Sequence, residues 1–239
     1  MLEMQGVTVD FHGLRAVDDV SFRVEAGQIV GLIGPNGAGK TTLFNAVSGM
    51  VRPSSGSVHF QGRDLARLDP ADRSRLGIGR TFQIVKPFGG LSVLDNVLVG
   101  ALTRGQPVAE ARRTAEATLE RLTMTRLAHA RAAGLPLALR KRLEVARALA
   151  TGPQLLLLDE IMGGLNPTEV NETLALIRSL HADGLTFLII EHNMNAIMQI
   201  AQTVLVLNQG RTIAEGPPAA VTRDPQVVAV YLGVPLEPA

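Results

Sequence analysis

One short segment constrains the fold of this chain more than any other feature of its sequence. It reads Gly-Pro-Asn-Gly-Ala-Gly-Lys-Thr from Gly34 to Thr41 and fits the pattern G-x-x-x-x-G-K-[ST]. A predicted buried strand over 28–33 precedes it and a predicted helix over 40–47 follows it. In that context the glycines let successive backbone N–H groups point inward, and the helix N-terminus adds its positive dipole. The segment therefore predicts a phosphate-binding loop, with a glycine-rich turn that merely closes a strand–helix unit as the alternative.

The residues of this loop have distinct expected roles. Lys40 would reach the β- and γ-phosphates of a nucleotide, and the Thr41 hydroxyl would ligate Mg²⁺. We expect nucleotide contacts from the whole loop and the start of the helix: Gly34, Pro35, Asn36, Gly37, Ala38, Gly39, Lys40, Thr41 and Thr42. The pattern predicts phosphate binding but does not say which nucleotide is bound.

A second predicted strand ends in two carboxylates. The apolar run 155–158 is followed by Asp159 and Glu160. Asp159 would hold the magnesium ion, directly or through water, and Glu160 would orient or deprotonate the attacking water. By itself the pattern also fits a strand that simply ends in acidic loop residues. Together with the phosphate loop, it favours a nucleotide-hydrolysing site.

The alternation of strand and helix patterns predicts an α/β fold with a mostly parallel core sheet. Asn166 and the Pro-Thr-Glu that follows are typical of a helix N-terminus, and the helix is expected to end near residue 182. An arginine-rich helical pattern extends from about residue 107 to residue 133. Further strands are expected over 7–11, 20–24, 58–60, 186–190, 203–207 and 212–215.

Composition excludes several classes of protein. The 23 basic and 22 acidic residues leave a net charge of +1, and aromatic residues make up 3% of the chain, which argues against a nucleic-acid partner. The absence of cysteine excludes disulfides and thiolate metal sites. We expect no membrane-spanning run and, from residues 1–5, no secretory signal. Apolar residues are nevertheless abundant, at 46% without counting glycine.

These motifs and their spacings resemble the ATP-binding-cassette (ABC) family of transport ATPases over 1–233. The resemblance implies one ABC ATPase domain over 1–239, with the fold of the P-loop NTPases and an N-terminal antiparallel β subdomain. It places a helical subdomain at about 85–155 and the C-terminal strands and helix at about 203–233. It also implies ATP and Mg²⁺ as cofactors, and ATP hydrolysis coupled to transmembrane transport.

The resemblance assigns roles to residues that spacing alone would not single out. Phe11 would stack on adenine, although an inward-facing strand residue is the alternative. Gln83, in the run Arg-Thr-Phe-Gln, resembles the Q-loop glutamine that contacts the metal and links the nucleotide to the membrane subunit. His192 resembles the switch histidine that contacts the γ-phosphate, and we assign both Gln83 and His192 to catalysis with Glu160. The D-loop, which crosses to the partner subunit, would comprise Gly164, Leu165 and Asn166.

The family's signature segment departs from its usual Leu-Ser-Gly-Gly-Gln. Alignment on the helical pattern over 142–149 puts Leu135, Pro136, Leu137, Ala138 and Leu139 in its place. The serine and both glycines are missing, and proline has no N–H to donate. The basic residues over 140–142 would supply charge instead, or simply form a solvated face. A homodimer would then contain two damaged sites, so we favour a heterodimer with a second ABC ATPase that carries an intact signature.

Within the family, several features resemble the ATPases of branched-chain amino-acid and related amide importers. They include the run ending at Gln83, an extended segment over 87–102, and the closing Tyr-Leu-Gly over 231–233. The resemblance implies permease subunits docking near residues 83–102, a periplasmic or extracellular solute-binding protein, and a peripheral location on the cytoplasmic face of the inner membrane. The alternatives are a lipopolysaccharide or lipid exporter, a nucleotide switch acting on ribosomes or DNA, and a regulatory subunit that no longer hydrolyses ATP.

Overall fold

The computed structural model describes residues 1–83 and 86–232. The strands in these ranges are β1 (Leu2–Phe11), β2 (Leu14–Val24), β3 (Ile29–Ile33), β4 (Ser55–Phe60), β5 (Arg63–Asp64), β6 (Ile78–Arg80), β7 (Leu155–Asp159), β8 (Thr186–Ile190), β9 (Thr203–Asn208) and β10 (Arg211–Gly216). The α-helices are α1 (Lys40–Ser48), α2 (Pro70–Arg75), α3 (Val93–Leu102), α4 (Val108–Arg121), α5 (Leu137–Ala150), α6 (Pro167–Ala182), α7 (Met194–Ile200), α8 (Pro218–Val221) and α9 (Pro225–Leu232). Short 3₁₀ turns occur at Thr125–Leu127 and Ala132–Gly134.

The chain divides into two compact units, and the first combines Met1–Arg73 with the chain from Thr186 onward. Its N-terminal part is an antiparallel sheet in the order β2-β1-β4-β5, with Leu2 of β1 opposite both Val24 of β2 and Phe60 of β4. These three side chains are almost fully buried. The alternation of buried and exposed positions along β1 and β2 thus gives the sheet one apolar face.

The same unit contains a parallel set of strands, in which β3 pairs with β8 on one side and with β9 on the other. β10 adds an antiparallel strand beyond β9. Every residue of β3 and of β8 is buried, because parallel strands are covered on both faces and therefore consist of continuous apolar runs. The phosphate loop follows β3 and leads into α1, so it is anchored to the most buried strands of the unit.

Arg73 anchors the C-terminal end of α1. Its guanidinium is 2% exposed and donates to the carbonyls of Ala46 and Val47 at 2.6 and 2.8 Å, and also to those of Leu65 and Leu68. A cation at a helix C-terminus satisfies the last carbonyls and complements the helix dipole. Burial lowers the pKa of Arg73, and the set of backbone acceptors offsets part of that desolvation cost.

The second unit runs from Ser74 to Leu185. Strands β6 and β7 pair in parallel, and helices α3, α4 and α5 pack against one another. Gly100 permits this packing, because a Cβ there would lie 2.3 Å from the carbonyl oxygen of Arg147 on α5. Helix α6 begins with a capping box in which Asn166 and Glu169 satisfy each other's backbone N–H groups.

The predicted fold is confirmed: the structure is α/β, with parallel strands in both units and an antiparallel N-terminal sheet. Most of the segment 87–102 is helical, since α3 occupies Val93–Leu102. Two local boundaries need correction. The helical pattern predicted over about 107–133 forms an α-helix that ends at Arg121. Helix α5 begins at Leu137, so it includes most of the segment expected to precede it. Gly233 and the last residues of the predicted domain lie outside the described residues.

Candidate functional site

The phosphate loop forms an enclosed turn around the Lys40 side chain. Lys40 is 6% exposed, and its ammonium donates to the carbonyls of Gly34 and Pro35 at 2.7 and 2.9 Å. Asn36 and Gly37 at the tip are exposed, whereas Ala38 is buried. The loop therefore places a cation at its centre and leaves its tip open to solvent, as a cradle for an anionic group requires.

Two glycines of the loop have no room for a side chain. A Cβ on Gly34 would lie 2.2 Å from the carbonyl oxygen of Leu207, and one on Gly39 would lie 2.4 Å from that of Ala16. Both residues also adopt positive φ, 149° and 101°. The backbone of the loop is thus pressed against β9 on one side and β2 on the other, which explains the glycines at these positions.

The turn between β9 and β10 supports the loop from outside. Gly210 donates its N–H to the carbonyl of Ala38 at 3.0 Å and accepts the N–H of Asp18 at 2.8 Å. Arg211 donates to Asp18 Oδ2 from Nε at 2.7 Å, and Arg15 donates to Asp18 Oδ1 at 3.0 Å. The hydrogen bond from Arg211 is the largest cause that lowers the pKa of Asp18, with Arg15 adding to it. An ion-pair cluster therefore connects β2 to the turn that supports the phosphate loop.

The other predicted residues of this unit lie at the ends of strands. Phe11 ends β1 opposite Leu14, and its side chain is 41% exposed, so it is not an inward-facing core residue. His192 is exposed in the turn between β8 and α7, directly before Asn193, whose side chain caps α7. Burial raises the pKa of the Tyr231 hydroxyl on α9, and a hydrogen bond with the backbone of Gly34 opposes that shift.

In the second unit, β7 presents its terminal carboxylate in a buried setting. Asp159 is 2% exposed and pairs with the Arg80 guanidinium at 3.3 Å. The Asp159 N–H donates to the Thr81 hydroxyl at 3.1 Å. Burial lowers the pKa of Arg80, and the Asp159 carboxylate opposes that shift. The acidic strand and the segment that leads to Gln83 are therefore joined by both charge and backbone contacts.

Glu160, the next residue, has an unusual conformation. Its φ is +51°, in the left-handed region that residues with a side chain seldom adopt. The Gln83 amide donates to Glu160 Oε2 at 2.8 Å. The structure thus brings together Gln83, Asp159 and Glu160, which the sequence places in two separate motifs.

The divergent signature segment and the D-loop are neighbours in the same chain. Pro136 precedes the first turn of α5 and provides no side-chain cap for it. Leu137 is 39% exposed, and a Cβ on Gly164 would lie 3.2 Å from its Cδ2. Leu135 is buried, whereas Ala138 and Leu139 are half-buried. In the D-loop, Leu165 is half-buried and Asn166 caps α6.

The basic residues proposed to replace the signature point in different directions. Lys141 is 8% exposed and donates to the carbonyl of Glu160 at 2.8 Å, and Arg142 pairs with Glu172 on α6 at 2.9 Å. These two side chains therefore have partners within their own chain, which contradicts the suggestion that all three residues form a solvated basic face. Arg140 is half-buried.

Several contacts of the site are not predicted by the sequence. Arg80 and Thr81 belong to the motif that ends in Gln83, so the sequence indicates that they lie near the site. Lys141 is one of three basic residues expected to supply charge, and Tyr231 belongs to the closing Tyr-Leu-Gly run, but neither pattern indicates which segment the side chain contacts. Their contacts depend on which distant segment the fold places beside them.

An apolar surface is present on the segment that follows Gln83. Phe88 and Leu91 are 44% and 39% exposed, and Val99 and Leu102 on α3 are similarly exposed. Asn96, fully buried, holds the backbone of Phe88 through hydrogen bonds in both directions, and the Arg147 guanidinium lies 4.6 Å from its ring centroid. The segment is therefore fixed in place although its apolar side chains remain exposed. Residues 84 and 85 of the predicted docking region lie outside the described residues.

A strand–phosphate loop–helix unit together with a buried acidic strand defines a P-loop nucleotide-binding protein. The family model "ABC transporter" matches residues 17–163. BraF of Pseudomonas aeruginosa, a high-affinity branched-chain amino acid transport ATP-binding protein, is 37% identical over 98% of both chains. The chain therefore belongs to the ABC transporter family, as an ATPase that couples ATP hydrolysis to transport.

Other comparisons agree on the family and differ in the transport they name. The model "Branched-chain amino acid ATP-binding cassette transporter" matches residues 211–236. LptB of Acidithiobacillus ferridurans, a lipopolysaccharide export system ATP-binding protein, is 37% identical over 98% of this chain and 97% of its own. The solved ADP conformation of MJ1267, an ATP-binding cassette of an ABC transporter, superimposes with a TM-score of 0.88 at 32% identity over 98% of both chains. Among the described residues, none of the helices has the length and apolar character needed to span a membrane.

Proposed function

We propose that this chain is the ATP-hydrolysing subunit of an importer for branched-chain amino acids or related amides. The support for this substrate class is the match of residues 211–236 to the branched-chain amino acid cassette model and the full-length similarity to BraF. The solute itself would be selected by the permease and the solute-binding protein, with which the ATPase acts from the cytoplasmic face of the inner membrane.

In the proposed nucleotide site, the adenine and the phosphates are held by different parts of the first unit. The exposed ring of Phe11 would stack on the base. Lys40 would exchange its bonds to the carbonyls of Gly34 and Pro35 for the β- and γ-phosphates, and the N–H groups over 34–42 would surround them. His192, exposed after β8, would contact the γ-phosphate.

For hydrolysis we assign Glu160 as the residue that orients and deprotonates the attacking water. The observation that carries this assignment is the 2.8 Å bond from Gln83 to Glu160, directly after the buried Asp159. This bond fixes the direction of the carboxylate and connects it to the segment that leads toward the apolar surface. A carboxylate offers several acceptor positions on its two oxygens, so Glu160 can accept a hydrogen bond from water while it accepts one from the neutral amide of Gln83.

The proposed magnesium ligands are Thr41, Gln83 and Asp159. Their hydroxyl, amide and carboxylate oxygens are the hard donors that Mg²⁺ prefers, so the residue types fit the ion. Among the described residues, no group of three or more His, Cys, Asp and Glu side chains could hold a metal, so phosphate and water oxygens would complete the coordination. When bound, Mg²⁺ neutralises charge on the β- and γ-phosphates.

We propose that two cassettes share each nucleotide, with the segment 135–139 and the D-loop over 164–166 facing the partner subunit. Pro136 lacks an N–H, and the apolar side chains that follow offer no hydroxyl to a phosphate. A partner ATPase with an intact signature would therefore complete one competent site with Glu160 of this chain. Vigorous, cooperative hydrolysis by the purified chain alone would contradict this asymmetry, whereas activation on mixing with the partner would support it.

The function is tested by copurifying the chain with its membrane subunits and reconstituting them in liposomes. ATP-dependent uptake of labelled leucine in the presence of the solute-binding protein is expected. Glu160→Gln should abolish uptake and leave only a small residual rate of hydrolysis, while ATP still binds. Turnover that is unchanged in this variant would remove Glu160 from the proposed role.

The second candidate is lipopolysaccharide or lipid export, favoured by the 37% identity to LptB. Membrane subunits that extract lipid, with no dependence on a solute-binding protein and no leucine uptake, would establish this candidate instead. The ATPase machinery is the same in both cases, so the substrate class can fail without affecting the assignment of Glu160.

A further inference from the structure

Lys141 lies near the start of α5, directly after the divergent segment 135–139, and its side chain points into the protein. It is 8% exposed, and its ammonium donates to the carbonyl oxygen of Glu160 at 2.8 Å. A buried ammonium is costly unless it is well bonded, so a lysine held in this way is a specific feature of the fold. Its contact is with the backbone of the residue assigned to activate water.

That backbone has a conformation which needs support. Glu160 has a φ of +51°, and its carbonyl accepts a second hydrogen bond from the N–H of Gly163 at 3.3 Å. Two donors on one carbonyl fix the orientation of the peptide that follows Glu160. Because φ at +51° is unfavourable for a residue with a Cβ, loss of one donor would favour relaxation toward an ordinary conformation and would redirect the carboxylate.

Glu160 is consequently held at both ends. Gln83 donates to its side-chain carboxylate at 2.8 Å, and Lys141 donates to its main-chain carbonyl at the same distance. The first contact comes from the segment after β6, whereas the second comes from the helix that carries the divergent signature. Lys141 thus connects that helix to the hydrolytic residue of its own chain.

We propose that Lys141 is a positioning residue for hydrolysis, which holds the backbone of Glu160 so that its carboxylate faces the attacking water. The inference rests on the proposed role of Glu160. It gives a basic residue of the divergent region a function within its own chain, distinct from contact with a phosphate on the opposite subunit.

The test compares Lys141→Met and Lys141→Arg in the ATPase assembly that hydrolyses ATP, with Arg121→Met as the control. Arg121 is in the same unit and pairs with Asp183 at an exposed position. Lys141→Met should lower the rate of hydrolysis at saturating ATP by about tenfold or more, because small displacements of a catalytic group are costly. ATP affinity should stay within about twofold, and Lys141→Arg, which retains a donor, should recover most of the rate.

A double-mutant cycle separates positioning from general structural support. Single-turnover rates are measured for Lys141→Met in the wild-type and in the Glu160→Gln background. If Lys141 acts through Glu160, its loss should change the residual rate of Glu160→Gln by less than about twofold. Equal fold losses in both backgrounds, or a wild-type rate in Lys141→Met, would overturn the inference.

Two further results are informative. If thermal melting shows that Lys141→Met does not fold, Lys141→Gln is used instead. The shorter glutamine amide cannot occupy the position of the ammonium, so we again expect a lower rate of hydrolysis and an unchanged ATP affinity. Wild-type turnover in Glu160→Gln would refute the proposed role of Glu160. A loss of turnover in Glu160→Gln with a wild-type rate in Lys141→Met would refute only the role of Lys141.

Discussion

The side-chain amide of Gln83 donates a 2.8 Å hydrogen bond to the carboxylate of Glu160, across 77 positions of sequence. Three residues before Gln83, Arg80 pairs with Asp159, the residue before Glu160. Two adjacent carboxylates are therefore each contacted from the same segment, one by a cation and one by a neutral amide. A hydrogen bond to a charged donor is stronger than one to a neutral amide, so Asp159 is the more firmly held of the two carboxylates.

Gln83→Ala should lower ATP turnover by about tenfold with little change in ATP affinity, because the Glu160 carboxylate loses the donor that orients it. The measurement is the steady-state rate at saturating ATP together with equilibrium ATP binding. Gln106→Ala is the matched control, since Gln106 donates to Thr114 elsewhere in the same unit. If Gln106→Ala lost turnover to the same extent, the effect of Gln83→Ala would reflect general destabilisation, and the prediction would be wrong.

Gly39→Ala should abolish ATP binding. The added Cβ would lie 2.4 Å from the Ala16 carbonyl oxygen, and φ at Gly39 is 101°. The loop would have to move away from β2 and lose its inward-pointing N–H groups. Gly62→Ala is the control. Gly62 also has a positive φ, 77°, but the space around its Cβ position is open, so this variant has the backbone strain without the clash. Binding that survives in Gly39→Ala would show that the loop tolerates the displacement.

Asp18→Asn should destabilise the protein near neutral pH and have less effect in acid. The pKa of Asp18 is lowered in the folded protein, chiefly by the hydrogen bond from Arg211. The stabilisation is therefore present above the pKa of the unfolded chain and is lost as the pH falls through the lower folded pKa. Denaturant midpoints of the variant and the wild type should differ at pH 7 and converge below about pH 4.

Glu120→Gln is the control for this pH dependence, because Glu120 is an exposed carboxylate on α4. Its midpoint should follow that of the wild type at both pH values. A gap between Asp18→Asn and the wild type that widens in acid would contradict the assigned sign.

Phe88→Asp or Leu91→Asp should release the chain from its permease while ATP binding persists. Both side chains are partly exposed on the segment after Gln83, and a carboxylate there would have to be desolvated in an apolar interface. Copurification with the membrane subunits measures the association. Val108→Asp changes a residue that is 61% exposed outside the proposed docking region, and it should leave association unchanged. Retention of the permease by both docking variants would refute this surface.

Local patterns predicted much of the secondary structure. The strand over 186–190 and the helix from 167 to 182 occur within those bounds, because a fully apolar run and a capping box are self-contained signals. No local pattern gives the bounds of the helix at Val93–Leu102, and α5 begins earlier than its pattern indicates. In both cases the boundary depends on packing against other helices, as Gly100 against Arg147 illustrates.

The sequence by itself determined the phosphate loop, the buried acidic strand and the family, because each depends on residue types at short, fixed spacings. The roles assigned to Phe11, Gln83 and His192 remain predictions. Tertiary structure alone decided that Lys141 points at the Glu160 carbonyl, that Arg80 pairs with Asp159 and that Gly210 supports Ala38. Each of these contacts joins segments that are separate along the chain, and their distances follow from strand pairing and helix packing that no local pattern specifies.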